Sequence, residues 1–373
     1  MKNRLWLGLA LVLASRGVGP TAARGDFYAQ TNLVSDIPGL AAFTDPNLKN
    51  PWGMSFSGGG PFWVSDQVTG KSTLYNGAGV PQGLIVTIPN KPGGGPPTGP
   101  TGQVFNPTND FVLSNGAKAV FLFSNLDGTI SGWNGTIGTT AEIHVTPTAP
   151  TVYTGLALGT SAVGSALYAA DDRNGKIDVF NGAFAKTSLA GSFVDPTLPA
   201  GFTPYNIQNV GGTLYVTYEN EGQGGGVVNA FDVNGNFLRR ISANGAGGHL
   251  DSPWGVTLAP ATFGQFGGKL LVGNEGDGHI SAFDPNTGAF LGQLLGSNGN
   301  PIVNTGLWAL AFGNAGAGSD PNALYFAAGI NGEVDGLFGA IRAVPEPGSV
   351  VLFGLGGLLL LAGAVRKARG RRG

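Results

Sequence analysis

Five acidic or amide residues stand at matching positions in a repeated pattern of this 373-residue chain. Each closes the second strand of its repeat, and the five are Asp66, Asn125, Asp171, Glu219 and Glu275. If the repeats surround an axis, these side chains lie at equivalent places around one channel mouth. Ca²⁺ binds about six to eight oxygen atoms, so the set predicts a calcium site. The alternative is that these residues cap turns at strand ends through hydrogen bonds to the backbone.

Other catalytic or metal-binding patterns are absent from the sequence. The three histidines, His144, His249 and His279, lie in different repeats, and none has a second histidine at ligand spacing. There is no serine-nucleophile elbow, no paired-histidine zinc helix and no phosphate-binding loop. Because the chain has no cysteine, a disulfide framework, a thiolate metal site and a cysteine nucleophile are excluded. Calcium is the only cofactor that the sequence predicts, and no catalytic residue is identified.

The composition predicts a folded domain with many turns. Gly and Pro together make up 90 of the 373 residues, yet 42% of the residues are hydrophobic, which is too many for a disordered chain. The net charge of -2 hides a segregation, because nine of the 20 basic residues lie near the termini. That leaves 11 basic residues in the body against 22 acidic ones, a net charge near -11. An acidic body argues against binding to nucleic acid.

The first 24 residues are typical of a signal peptide. A basic start, Lys2 and Arg4, precedes the ten-residue apolar run Leu5–Ala14, and Thr21–Ala23 is a plausible cleavage site. The apolar run is too short to span a bilayer comfortably. The segment therefore predicts export through the Sec machinery. A retained N-terminal anchor is the alternative.

The last 30 residues predict a second targeting signal. The sequence Val344-Pro345-Glu346-Pro347 precedes an uncharged apolar stretch, 349–365, which is long enough for a short transmembrane helix. A basic tail follows, made of Arg366, Lys367, Arg369, Arg371 and Arg372. By the positive-inside rule this tail stays in the cytoplasm and the body of the protein lies outside the inner membrane. A buried core helix is the alternative, and the basic tail disfavours it.

This C-terminal arrangement (residues 344–373) resembles the PEP-CTERM sorting signal of Gram-negative bacteria. The resemblance implies recognition by an exosortase, a membrane-embedded enzyme, and processing near the Pro-Glu-Pro motif. It also implies an inner-membrane intermediate and final delivery to the cell surface or the extracellular matrix.

The body, residues 25–343, repeats a pattern of short alternating strands separated by turns. Six copies have markers at positions 52, 111, 156, 205, 254 and 308. Strand quartets at a spacing of about 45 to 50 residues are typical of propeller blades. The longer first spacing is attributed to a Pro/Gly insertion at 90–100. The pattern predicts an all-β, six-bladed β-propeller in which the strand 27–34 completes the last blade; a two-sheet sandwich is the alternative.

Particular segments of the body also resemble known families. The copy around Trp254 resembles an NHL-type blade, although Gly278-His279-Ile280 stands where such blades commonly carry Arg. The body as a whole resembles an uncharacterised family of exported proteins with PEP-CTERM tails, through segments such as Asn50–Gly53 and Gly306–Leu310. Trp52, Trp254 and Trp308 recur at matching positions, where they either stack on sugar rings or pack the blades together.

These signals predict an exported, non-enzymatic binding protein of the cell surface or matrix, with an extracellular polysaccharide or a surface protein as partner. Two alternatives stay open. One is a metal-dependent hydrolase or lactonase that uses the acidic ring, and the other is a structural biofilm component.

Overall fold

The computed structural model describes residues 27–95 and 98–344, and this part of the chain forms six β-sheets arranged around an axis. The fold is therefore the predicted all-β, six-bladed propeller. The innermost strands of successive sheets contact one another in sequence, and the last contacts the first, which closes the ring. The predicted signal peptide, the motif from Pro345 onward, the helix at 349–365 and the basic tail lie outside the described residues.

The first half of the propeller follows the chain without crossovers. Two strands, β1 (Phe27–Ser35) and β2 (Phe43–Thr44), precede the first blade. Blade 1 consists of β3 (Pro51–Ser55), β4 (Phe62–Asp66), β5 (Lys71–Tyr75) and β6 (Val86–Thr87). Blade 2 consists of β7 (Gln103–Phe105), β8 (Phe121–Ser124), β9 (Ile130–Trp133) and β10 (Glu142–Val145). Blade 3 consists of β11 (Tyr153–Ser161), β12 (Gly164–Asp171), β13 (Lys176–Asn181) and β14 (Lys186–Thr187).

The second half repeats this order. Blade 4 consists of β15 (Thr203–Val210), β16 (Thr213–Glu219), β17 (Gly226–Phe231) and β18 (Phe237–Asn244). Blade 5 consists of β19 (Pro253–Leu258), β20 (Leu270–Asn274), β21 (Ile280–Phe283) and β22 (Phe290–Gln293), with a 3₁₀ turn at Gly264–Phe266. Blade 6 consists of β23 (Leu307–Phe312), β24 (Leu324–Ala328) and β25 (Leu337–Val344), with a short helix α1 (Ile330–Glu333) between the last two.

The N-terminal strand supplies what the sixth blade lacks. β1 pairs antiparallel with β25 along its whole length, from Phe27 opposite Val344 to Ser35 opposite Leu337. The two ends of the described chain are thus joined by backbone hydrogen bonds, and the edge of β25 is covered. Because Val344 is also the first residue of the predicted sorting motif, the propeller ends where that motif begins.

The predicted start of the second blade near Phe111 is wrong. Phe111 lies in the loop between β7 and β8 with a left-handed backbone (φ 60) and a fully buried ring. The inner strand is β7, and Thr101 and Gly102 before it take the places of Trp52 and Gly53, as the hydrogen bond from Gly53 N to Thr101 O (2.9 Å) indicates. A three-residue strand without an aromatic marker carries too weak a pattern to detect. The Pro/Gly segment at 90–100 connects blades 1 and 2.

Two further properties of the described residues concern their hydropathy and their charge. None of their helices is long and apolar enough to cross a membrane. Since Asp26 and Glu346 lie outside the described residues, the propeller carries 11 basic and 20 acidic residues, a net charge of -9. The acidic character that the sequence predicts for the body therefore belongs to the folded domain.

Replacing Tyr28 by Ala should destabilise the propeller by loosening its closing strand. The Tyr28 side chain is buried, its ring centroid lies 4.9 Å from that of Phe263 in blade 5, and its hydroxyl donates to Phe263 O. Removing a buried aromatic ring costs about 3 kcal/mol. Denaturant unfolding should show this loss for Tyr28→Ala and a change below about 0.5 kcal/mol for Thr31→Ala, at an exposed position of the same strand. Equal stability of the two variants would contradict the role assigned to β1.

Candidate functional site

Four aromatic side chains meet on the axis of the propeller. Trp52, Tyr205, Trp254 and Trp308 occupy equivalent positions on the inner strands of blades 1, 4, 5 and 6. Trp52 stacks on Trp308 with 3.7 Å between ring centroids, and Trp254 packs edge-on against both at 6.5 and 6.0 Å. Tyr205 lies 6.4 Å from Trp52 and 5.7 Å from Trp308. We call these four residues the aromatic plug, because they fill the space between the inner strands.

Hydrogen bonds fix the plug to the blades around it. Trp308 Nε1 donates to Asn50 Oδ1 (3.0 Å), and Trp254 Nε1 donates to Thr154 O across the axis (3.1 Å). The three tryptophans are at most 6% exposed. Their recurrence therefore reflects packing between the blades, although Trp254 also reaches the cavity described next.

A cavity of about 500 Å³ lies on one side of the aromatic plug. Its walls come from inner-strand residues that follow the plug positions, such as Gly53–Phe56 and Asn206–Asn209, and Trp254 also lines it. None of the lining residues is charged, and most are aliphatic, aromatic, Gly or amide-bearing. Ser55 Oγ is buried there without a hydrogen-bond partner. The cavity is suited in size and chemistry to an uncharged ligand.

Three carboxyl groups gather on the opposite side of the plug, before the start of the inner strands. Glu219 is paired with Thr203, two residues before Tyr205, and Glu275 N donates to Ser252 O, two residues before Trp254. Glu333 Oε2 accepts from Asn50 Nδ2 (3.1 Å), so Asn50 joins this group to Trp308. We call Glu219, Glu275 and Glu333 the carboxyl mouth.

Burial disfavours the ionised form of all three carboxyl groups of the carboxyl mouth. Burial, followed by the charges of Asp172 and Glu275, raises the pKa of Glu219 to about 8. Burial, followed by the charges of Glu333 and Asp251, raises the pKa of Glu275 to about 7. Burial also raises the pKa of Glu333. Since the pKa values of Glu219 and Glu275 are about 8 and 7, the mouth retains protons near neutral pH.

The five residues of the predicted calcium site divide into two groups. Asp66, Asn125 and Asp171 serve their own blades: Asp66 Oδ2 accepts from Thr73 Oγ1 (2.8 Å), Asn125 Nδ2 donates to Thr129 Oγ1 (3.0 Å), and Asp171 Oδ2 accepts from Asn174 Nδ2 (2.7 Å). Each of these side-chain contacts lies within the blade that carries the residue, and the calcium site stays a prediction. Glu219 and Glu275 lie close enough for the charge of Glu275 to act on Glu219. Within residues 27–95 and 98–344, no group of three or more His, Asp or Glu residues is arranged to hold a metal ion.

Sequence reasoning missed Glu333, the third member of the mouth. In blade 6 the second strand ends in Ala327-Ala328, and the carboxyl group comes five residues later from the turn that contains α1. Asn331, Gly332 and Glu333 all have left-handed backbones (φ 57, 68 and 65), which directs Glu333 back to the axis. The one available signal was an acidic residue directly after Asn-Gly at the end of a blade.

Comparison with protein families gives one match at the C-terminus. Residues 343–372 match the model of the PEP-CTERM protein-sorting motif. The motif identifies the chain as an exported protein that is sorted by an exosortase, as the sequence predicts. The likeness of single blades to the NHL type stays a prediction.

The rest of the chain resembles proteins of known sequence or structure. It is 33% identical to "Uncharacterized protein R648" of Acanthamoeba polyphaga mimivirus, over 83% of this chain and 78% of that protein. It is 31% identical to "Uncharacterized protein L690" of the same virus, over 83% and 84%. Among solved structures, an α-L-arabinanase of Penicillium chrysogenum aligns with a TM-score of 0.54 at 11% identity, over 87% of this chain and 99% of that chain. At that identity the arabinanase shares the fold alone.

The raised pKa of Glu219 predicts a pH-dependent stability. A carboxyl group whose pKa is higher in the folded state than in the unfolded state favours folding when it is protonated. The free energy of unfolding is therefore not reduced by Glu219 below about pH 4.5, and it falls as the pH rises through about 8. The melting temperature of Glu219→Gln should therefore be higher than that of the wild type by about 3 °C or more at pH 8.5. At pH 4.5 the two melting temperatures should differ little. Asp110→Asn removes an exposed carboxyl group and should show no such pH-dependent gain. Parallel pH profiles for wild type and Glu219→Gln would contradict the burial of this charge.

Proposed function

This chain belongs to the same family as the mimiviral proteins R648 and L690, and we propose that it is a non-enzymatic binding protein displayed outside the inner membrane. The observation that carries the proposal is the uncharged cavity beside the aromatic plug. A cavity of about 500 Å³ is within the range of small-molecule sites, about 300 to 1,000 Å³. In a domain with a net charge of -9, an uncharged lining favours a neutral ligand.

The chemistry of the lining narrows the ligand further. Leu158, Phe56 and Phe105 offer apolar surface, whereas Gln208 and Ser55 offer polar groups. A ligand with apolar faces and a few hydroxyl or amide groups satisfies both, and a segment of neutral polysaccharide or of an uncharged peptide has this character. A partner of the surface or matrix would reach the cavity after the propeller has been exported.

Filling the cavity should abolish binding without unfolding the protein. Leu158 is half-buried on the cavity wall, so Leu158→Trp should occupy the space that the ligand needs. Calorimetry or thermal-shift measurements with a panel of neutral oligosaccharides and peptides should find a ligand for the wild type whose affinity falls at least tenfold in this variant. Leu238→Trp, at an exposed position of β18, is the matched control and should bind as the wild type does.

An enzymatic function is the outcome that would overturn this proposal. The same protein should be screened against lactone and ester substrates with and without EDTA. Turnover that EDTA abolishes would favour the metal-dependent hydrolase. If the protein turns over no substrate and binds no ligand whose affinity falls in Leu158→Trp, the results would favour a structural matrix component.

The sorting step makes a separate prediction. In a Gram-negative host that has an exosortase, the C-terminal segment should be processed near Pro345-Glu346-Pro347, and mass spectrometry of the mature protein should find a chain that ends within or near this motif. Deletion of the exosortase, or Glu346→Gln together with Pro347→Ala, should leave the full-length chain in the inner-membrane fraction. Asp110→Asn should be sorted normally. Normal processing without the exosortase would contradict the assignment.

A further inference from the structure

We propose that the cavity is a blind shaft, closed at one end, that takes the end of a neutral polysaccharide chain and excludes the internal segments of such a chain. This assignment rests on the proposed binding function, since both concern the same cavity, and it adds the class of ligand and the way in which the ligand enters. Three features of the cavity support it: its closed floor, its depth and the neutrality of its lining.

The aromatic plug closes the cavity at one end. Its four rings are between 0 and 8% exposed, whereas a channel open at both ends would expose them to solvent. Trp254 belongs to the plug and also lines the cavity, so it forms part of the floor. A chain that enters the cavity therefore does not leave on the far side of the propeller.

The inner strands become more exposed with distance from the plug. On β11, Leu156 is buried, Leu158 is half-buried and Thr160 is exposed, and all three line the cavity. On β15, which also lines it, Ile207 is buried and Gln208 is half-buried. The cavity thus opens at the end remote from the plug, and a ligand enters there.

The depth of the cavity limits how much of a chain it holds. A strand rises about 3.3 Å per residue, so the lining from Leu156 to Thr160 spans about 13 Å. A volume of about 500 Å³ is within the range of sites that enclose one drug-sized molecule. Depth and volume together correspond to about two sugar rings in single file. The third and later residues of an oligosaccharide would therefore lie outside the cavity.

A chain end that is buried in this cavity must be uncharged. None of the lining residues is charged, and the domain has a net charge of -9. The end of an unmodified peptide carries an ammonium or a carboxylate group, and burial of either group without an ionic partner is costly. The end of a neutral polysaccharide carries only hydroxyl groups, so it enters without burying a charge.

The lining has both the polar and the apolar groups that a sugar ring requires. Ser55 Oγ, on blade 1, is buried without a hydrogen-bond partner, and Gln208 brings an amide from blade 4, which lies opposite blade 1 in the ring. Phe56 and Phe105 are half-buried and add aromatic surface towards the opening. A sugar ring matches this lining, because it carries hydroxyl groups at its edge and C–H groups on its faces.

Calorimetry of the mature exported protein with linear neutral oligosaccharides of one to six residues tests the proposal. The series consist of glucose, galactose, mannose, arabinose or N-acetylglucosamine. We expect at least one series to bind, with an affinity that rises up to about three residues and changes less than twofold beyond. Ser55→Ala should weaken binding of the trisaccharide about threefold. Gln82→Ala, at an exposed position outside the cavity, should bind as the wild type does.

A bulky fluorophore attached to one end or the other of the hexasaccharide distinguishes the two chain ends. If one end enters the shaft, a fluorophore at that end should weaken binding at least tenfold. A fluorophore at the opposite end should have little effect, because that end stays in solvent.

Separate results would overturn the chain-end assignment and the proposed binding function. A neutral sugar whose binding is sensitive to Leu158→Trp but not to either fluorophore would contradict the chain-end assignment alone. Affinity that keeps rising from three to six residues would do the same, because it would indicate a groove along the chain. Binding of an acetylated and amidated peptide in place of any sugar would also contradict the assignment. If a cooperatively folded protein binds no neutral ligand, the proposed function fails as well.

Discussion

Six inner strands around an axis leave a central space, and four aromatic rings fill it in this protein. Trp52 and Trp308 stack face to face, while Trp254 and Tyr205 close the remaining sides. These rings belong to blades 1, 4, 5 and 6, so blade 1 packs against blades that come much later in the chain. Such contacts bury large apolar areas without leaving voids, and they fix the positions of the strands that form both ends of the channel.

The plug divides the axis into two regions of different chemistry. On one side the inner strands surround an uncharged cavity; on the other side lie Glu219, Glu275 and Glu333, whose charges raise the pKa of Tyr205 after burial. Asn50 spans the boundary, because it accepts from Trp308 Nε1 and donates to Glu333. The same packing that stabilises the ring thus separates a site for neutral groups from a site of negative charge.

The architecture could be predicted from sequence where a local pattern recurs. Dipeptides such as Trp254-Gly255 mark the inner strands, and they were enough to indicate six blades. The inner strand of blade 2 is misplaced at Phe111 because Thr101-Gly102 lacks the aromatic marker. Glu333 could not be predicted as a member of the carboxyl mouth, because its position depends on three consecutive left-handed residues in an irregular turn. No repeat of the sequence pattern encodes that backbone. Asp66 shares its repeat position with Glu219 but turns into its own blade, since the length and neighbours of each side chain decide its direction.

The central claim is that the aromatic plug closes the axis and keeps the two ends apart. A crystal structure of the mature protein, at a resolution that shows ordered water, measures this directly. It should show Trp52 and Trp308 in van der Waals contact on the axis, with water in the cavity and at the carboxyl mouth but none between the rings. A continuous column of water through the propeller, with the four rings turned outward, would contradict the account.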